Sequence, residues 1–436
     1  MRLPQLRRAA TVLAATPTLL VGSLLAGVPA EAAAPVTPGS FTGFAFDACA
    51  APSQADMDTW RTTSPFWAVG VYVGGSTRQC THQPNLTASW VSTQSSRGWR
   101  VLPIWVGPQA ACSSYQDTID DSPASSYAAA RAQGRKQASA AVGVVAGLGF
   151  GKSTTLWYDL EDFDLAGDDC RRSALSFLSA WTSKLHDLGY RSGVYSNVAA
   201  AVHALDNADN LSHGSYVMPD QVWYAWNNGR ADTAIDTKWV RSGSWAHNRV
   251  HQYALDVTAS YGGVSLSIDR SFLDVGHGSV APKASPSCGV SLDFTRYRGL
   301  ARGDTGAQVK AAQCLLRRKK LYDGQVTGRF DKATYRAVRS FQSSHALGAT
   351  GALNAGTWTA LLSDGSHPLL KRGSASDAVR RVQRGLNAAS AAGLRITGVY
   401  SSATVTAVNA YQVRLGLPPT GVVASDTWAD LAAGHH

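Results

Sequence analysis

Glutamate is nearly missing from this chain: of 30 acidic residues among 436, only Glu31 and Glu161 are glutamates. Charge of either sign is scarce, at 16% of residues against roughly 25% in an average soluble domain, which excludes an acidic or basic disordered protein. The hydrophobic fraction of 44% is that of a chain that folds. Beyond residue 32 no apolar run approaches the roughly 18 residues that span a bilayer, so no membrane contact is expected once a leader is removed. No cysteine pair has C-x-x-C spacing, and neither H-E-x-x-H nor G-x-S-x-G occurs. Zinc-site, metalloprotease and serine-hydrolase readings therefore have no support, and no metal or cofactor is expected. Residues 146–153, AGLGFGKS, nearly spell a phosphate-binding loop, but such loops join a strand to a following helix. Here an alanine-rich helix from Ser125 precedes and a strand from Thr155 follows, so the segment reads as a glycine-rich connection.

What the chain does contain falls into blocks. Arg2, Arg7 and Arg8 precede an apolar stretch broken by Pro17 and Gly22, and Ala30 and Ala32 flank Glu31 at a small-residue cleavage point. Residues 1–32 thus read as a secretory signal peptide, exported by the general or the twin-arginine route, and the protein is expected to be secreted and cell-wall associated. Six cysteines suit that compartment and favour disulfides. The expected pairing is Cys288 with Cys314, leaving Cys49, Cys80, Cys112 and Cys170 to pair among themselves. Residues 33–280 carry 17 basic against 21 acidic residues, whereas residues 281–436 carry 20 against 8. Such a split places a neutral or acidic working domain beside a basic domain that seeks a polyanion; outside the cytoplasm that polyanion is a wall polymer rather than nucleic acid.

The basic half repeats itself with a shift of 70. Gln313, Thr327, Gly328, Thr334, Gln342, Gly351 and Trp358 recur as Gln383, Thr397, Gly398, Thr404, Gln412, Gly421 and Trp428 within a gapless set of nineteen identities. Apolar positions in each copy return every three or four residues, as on amphipathic helices. Trp358 and Trp428 are expected in the cores. The run Arg317 to Lys320 occurs in the first copy only; it is either a solvated helix end or a contact for anionic wall polymer. Residues 276–287, rich in Gly, Ser, Pro and Ala, read as a flexible linker.

Residues 41–275 alternate short apolar strands with helices, the pattern of an α/β barrel. The expected strands are 43–47, 67–73, 101–106, 155–161, 190–195, 222–226, 249–253 and 266–269. Helices follow only the first five, so five β/α units and then three nearly bare strands are expected. One helix starts at Ser53 with Asp56 completing a capping box, and another covers 173–188. Active sites of such barrels sit at the C-terminal strand ends. Those ends carry Asp47, the Asp159 and Glu161 pair, Tyr195, Trp226, Gln252, Tyr253 and Asp269. Asp159 and Glu161, two residues apart, face the same side. Two carboxylates held together raise the pKa of one and let it donate a proton, as glycosidic cleavage requires.

These residues carry two resemblances. Phe46-Asp47, Asp159-Leu160-Glu161, Trp223-Tyr224-Ala225, Gln252-Tyr253 and Asp269 resemble the glycoside-hydrolase-like domain of actinobacterial exported proteins and, more distantly, the family 25 lysozymes, whose barrel has this five-helix, eight-strand plan. The copies at 288–363 and 369–433 resemble the three-helix peptidoglycan-binding module. The fold implied is a TIM-like barrel plus two small all-α domains. The first resemblance implies that Glu161 is the general acid, that Asp159 orients the substrate's N-acetyl group, and that Asp47 and Asp269 support it. Gln252 and Tyr253 would contact the sugar, Tyr195 and Trp226 would either stack on its rings or plug the barrel mouth, and Arg270, a departure from the family pattern, would bring a cation beside Asp269. The expected function is a monomeric, muramidase-like hydrolase of peptidoglycan or another wall glycan; the alternative is a non-catalytic wall-carbohydrate binder.

Overall fold

The computed structural model describes residues 36–211, 214–284 and 288–436, so the leader expected at 1–32 lies outside the described residues. Eight strands close a barrel in sequence order: β1 (Phe41–Asp47), β2 (Phe66–Gly74), β3 (Arg100–Trp105), β4 (Thr155–Asp159), β5 (Arg191–Asn197), β6 (Gln221–Ala225), β7 (Asn248–Tyr261) and β8 (Val264–Val275). Strands β1 to β7 run parallel, whereas β8 is antiparallel to both β7 and β1. Helices α1 (Gln54–Thr63), α2 (Ala88–Ser96), α3 (Ala128–Gly147), α4 (Asp168–Asp187) and α5 (His203–Leu211) follow the first five strands, the last behind a π-helical turn at Val198–Val202. The five-unit plan holds. The last connection does not: β7 and β8 are long arms of one hairpin turning at Gly262 and Gly263, where the sequence suggested a bare 12-residue link. Around the turn, residues 255–267 are mostly exposed, so this part of the hairpin lacks the apolar run that marks a buried strand.

Local chemistry sets the helix ends. Ser53 caps α1 and Asp56 reaches back to the Ser53 backbone, completing the capping box. Helix α4 starts at Asp168, earlier than its apolar stripe at Leu175, Leu178, Trp181 and Leu185 suggested, because two acidic residues favour its first turn. Helix α3 starts at Ala128 rather than Ser125, since residues 125 to 127 all take left-handed backbone. Inside the barrel Trp157 and Trp223 meet edge to face at 5.5 Å among Ala45, Ala68, Leu102, Ile104, Val250 and Leu273. Gly193 admits Trp157, whose ring would lie 2.3 Å from any Cβ placed there. Cys288–Cys314 is the expected disulfide, and the other four cysteines pair among themselves as Cys49–Cys80 and Cys112–Cys170, a choice the sequence left open.

Each repeat is a three-helix unit, α6 (Ala307–Arg318), α7 (Lys332–Ser344) and α8 (Ala355–Ser363), then α9 (Asp377–Ser390), α10 (Ser402–Arg414) and α11 (Ser425–Ala432). The recurring Gln, Thr and Gly residues build one network four times over. Gln313 accepts from the Gly328 N–H at 2.9 Å and donates to the Arg329 carbonyl at 2.9 Å and the Thr334 hydroxyl at 3.0 Å. Gln342, Gln383 and Gln412 do the same with Gly351, Gly398 and Gly421. These motif residues are therefore fold determinants. Trp358 and Trp428 are fully buried and donate to the carbonyls of Arg298 and Pro368.

The second repeat seats on the N-terminal face of the barrel. Lys371 is fully buried there, its Nζ donating to the carbonyls of Arg61 at 2.8 Å and Ser64 at 3.0 Å and lying 4.3 Å from the centre of the Trp67 ring. Burial, with the charge of Arg61, holds its pKa well below the usual lysine range. Two residues of the linker segment are also tied down: Ser279 pairs with Thr42, and the Pro282 carbonyl accepts from Arg380 at 2.7 Å.

Candidate active site

The opposite face gathers the acids. Asp47 ends β1 and Asp159 ends β4, and both are almost completely buried. Gly70 makes room for the first, because a Cβ at 70 would sit 2.7 Å from that of Asp47. Strand β4 stops at Asp159 instead of Glu161; after one more bond, from the Leu160 N–H to the Tyr195 carbonyl at 3.0 Å, Glu161 stands beyond the strand. Gln109 fixes it there. Its Oε1 accepts the Glu161 N–H at 2.8 Å while its Nε2 donates to the Asp159 carbonyl at 2.9 Å.

Asp269 joins the cluster, although not as the end of a parallel strand. It lies within antiparallel β8, in register with Asp47, and reversal of the strand brings this earlier part of β8 to the same rim. Its Oδ1 accepts the Asp256 N–H at 2.7 Å and its Oδ2 accepts from Gln252 Nε2 at 3.1 Å. That amide also reaches Asp47 Oδ2 at 3.4 Å, and Gln252 Oε1 accepts the Tyr195 hydroxyl at 2.7 Å. Tyr72, inward on β2 two residues after Gly70, donates to Asp47 Oδ1 at 3.1 Å.

Burial governs the protonation of this cluster. It raises Asp47 to about 8, helped by the charges of Asp269 and Glu161 and opposed by hydrogen bonds from Tyr72 and Gln252. It raises Asp159 well above the carboxylate range, with Glu161 and Asp47 adding to the shift. Glu161 and Asp269, less enclosed, are also raised chiefly by burial. The Asp159 carboxyl donates to Glu161, a bond that favours the ionised form of Glu161. Asp159 Oδ1 is shut from solvent and has no hydrogen-bond partner among the described residues. An acceptor buried in that way costs about 1–3 kcal/mol until a donor reaches it.

Asp47, Asp159, Glu161 and Asp269 line one cavity of about 250 Å³, with Tyr72, Arg78, Tyr115, Asp256 and the Cys49–Cys80 disulfide around them. None of the four expected sugar contacts is in that lining: Tyr195 and Gln252 join the hydrogen-bond network of the acids, and the other two are elsewhere. Trp226 packs against His251 on the outer side of the barrel, among Val198, Val202 and Tyr224. Tyr253 sits beside His251, on the face opposite to Gln252, since neighbouring strand residues alternate. Arg270 alternates away from Asp269 in the same manner; its charge acts on Tyr253, whereas the shift of Asp269 comes from burial and Asp256. Tyr72, Gln109 and Arg78 were not foreseen. Period-two alternation along β2 could have found Tyr72; Gln109 and Arg78, in irregular segments, gave no signal.

Residues 58–273 match the family described as Rv2525c-like, glycoside hydrolase-like domain, and residues 305–361 and 375–431 each match a peptidoglycan binding domain. Among curated proteins, none matches this sequence. Similar solved structures include an uncharacterized B. stearothermophilus protein, at 19% identity over 53% of this chain and 95% of that one with a TM-score of 0.36. The Mycobacterium tuberculosis Tat-secreted protein Rv2525c, solved with L-tartrate, has 15% identity over 52% and 94%, TM-score 0.36. The modular autolysin LytC from Streptococcus pneumoniae has 12% identity over 53% and 46%, TM-score 0.32.

Proposed function

The chain belongs, through its barrel, to the Rv2525c-like, glycoside hydrolase-like family and carries two peptidoglycan binding domains behind it; from that premise we propose that it is an exported, monomeric hydrolase of cell-wall glycan, a muramidase-like glycosidase held on its substrate by the repeats. The observation that carries this reading is the Asp159 and Glu161 pair: one carboxyl fully buried with an open acceptor, the other facing the cavity with its pKa raised.

Glu161 delivers a proton to the leaving glycosidic oxygen. The substrate's N-acetyl oxygen attacks the anomeric carbon as that bond breaks, in the substrate-assisted variant of glycoside hydrolysis. Asp159 Oδ1 accepts the amide N–H and so aims the acetyl group, while the proton that Asp159 shares with Glu161 stabilises the carboxylate left after transfer. Glu161 then removes a proton from water, which opens the cyclic intermediate and restores the acid. Asp47, Asp269 and Gln252 hold the cluster, and Tyr195 fixes Gln252. The repeats raise the local concentration of glycan, since a tethered second contact is intramolecular. On this reading residues 1–32 are removed on export, residues 41–275 form the working domain and residues 276–287 link it to the wall anchors.

The test is digestion of purified walls by wild type and Glu161→Gln. The variant should release reducing sugar at least about 100-fold more slowly, within the range for loss of a general acid, and sediment with walls as before. Equal release by both proteins would remove Glu161 from the mechanism.

A further inference from the structure

The two repeats meet along α8 and α9, where Gly385 allows close approach: a Cβ there would lie 3.0 Å from Ser363 Oγ. A cleft of about 310 Å³ opens beside this contact, with Leu292, Leu361 and Leu362 on its apolar floor. Its polar lining is charged and comes from both copies: Arg318 and Lys319 from the first, Arg381 and Arg384 from the second, with Asp364 and Asp377 among them. We propose that this cleft is a composite binding site for a zwitterionic wall peptide, one that presents carboxylates to the arginines and an amino group to the aspartates. The inference rests on the reading of the repeats as wall anchors and names the part of the wall they grip.

Three observations converge on it. First, the cations occupy positions that the duplication does not require. Seventy residues away, Arg318 and Lys319 are replaced by Ala388 and Ala389, and Arg381 and Arg384 by Ala311 and Cys314. The copies have diverged where they face each other, whereas their fold-determining glutamines and glycines are the same. Second, the arginines are gathered against their mutual repulsion. Burial lowers the pKa of Arg381, Asp364 and Asp377 oppose that shift, Arg384 and Arg318 add to it, and among the described residues Arg381 Nε is enclosed without a hydrogen-bond partner. Third, the charged groups of the cleft already take partners of opposite sign, Lys319 with Asp364 at 2.7 Å inside it, and Arg384 with Asp293 at 2.7 Å and Asp377 with Arg380 at its margin. The two lining aspartates stand unmatched against a uniformly anionic polymer such as a polyglycerol phosphate, whereas a peptide that also bears an amine matches both signs of the lining.

The experiment is calorimetric titration of the full chain with the synthetic tetrapeptide L-Ala-γ-D-Glu-L-Lys-D-Ala at low salt. Arg318 is exposed, so Arg318→Glu tests the cleft without disturbing a core, and Arg381→Gln tests it independently. Each variant should weaken binding at least about tenfold, and so should acetylation of the peptide's lysine. Polyglycerol phosphate should not displace the peptide. Unchanged affinity in both variants overturns the site; unchanged affinity of the acetylated peptide, or displacement by the polyphosphate, overturns the ligand class. If wild type sediments with purified walls but does not bind the peptide, the cleft proposal fails and the anchor reading stands. If it does not sediment at all, the anchor reading fails.

Discussion

Replacing Asp47 with asparagine should stabilise the protein at neutral pH. Asp47 is 3% exposed, and burial raises its pKa from 3.8 to about 8. In the folded state it therefore keeps a proton that the unfolded chain releases, so the stability it permits is intact below pH 4 and is lost as pH rises toward 8. At about 1.36 kcal/mol per pH unit, the loss reaches about 4 kcal/mol at pH 7 and about 6 kcal/mol above pH 9. Asparagine does not ionise and escapes that loss. Its carbonyl still accepts from Tyr72, but its amino group meets the Gln252 amide that donated to Asp47 at 3.4 Å, which costs about 1 kcal/mol. Asp47→Asn should thus be more stable than wild type by about 3 kcal/mol at pH 7 and within about 1 kcal/mol of it at pH 4. Urea unfolding followed by tryptophan fluorescence from pH 4 to 9, with disulfides intact, measures the difference. A variant less stable than wild type at pH 7, or a difference that does not grow with pH, would refute the account of these acids as held together at a cost to stability.

Lys371→Ala should remove the donor to the Arg61 and Ser64 carbonyls and cost about 2–3 kcal/mol, read as new proteolytic cleavage within 276–287 as the second repeat undocks. Gln342→Ala breaks bonds to Gly351, Ala352 and Thr357 and should lower the stability of the first repeat by about 2–4 kcal/mol in thermal unfolding; a loss below about 0.5 kcal/mol would show that the recurring glutamines do not hold the fold. Asp159→Asn should abolish sugar release while leaving wall sedimentation unchanged; release within twofold of wild type would separate Asp159 from the chemistry.

How much of this was legible depended on the kind of signal. The barrel and its five helices could be read because buried strands are apolar runs and α1 and α4 carry caps and stripes. The repeats were readable through their duplication. That Asp47, Asp159 and Glu161 share one rim could be read because strand ends face that side of a barrel, and Asp269 reaches the same rim by another route, its strand running the other way. Trp226 and Tyr253 were misplaced because a strand shows alternate residues to opposite faces, and choosing Gln252 already excluded its neighbour. Gln109 holds both acids from a loop, where no periodicity exists to read. The docking of the second repeat was hidden because it turns on one residue, Lys371, at a position where the first repeat has Ala301.

Glycan cleavage by the barrel is read from mass analysis of the fragments that the purified wild-type protein releases from walls. A working glycosidase should release soluble saccharides with a new reducing end on an N-acetylated sugar. Release of peptide fragments with intact glycan strands, or no soluble fragment from a protein that sediments with the wall, would contradict it and leave a binding protein in its place.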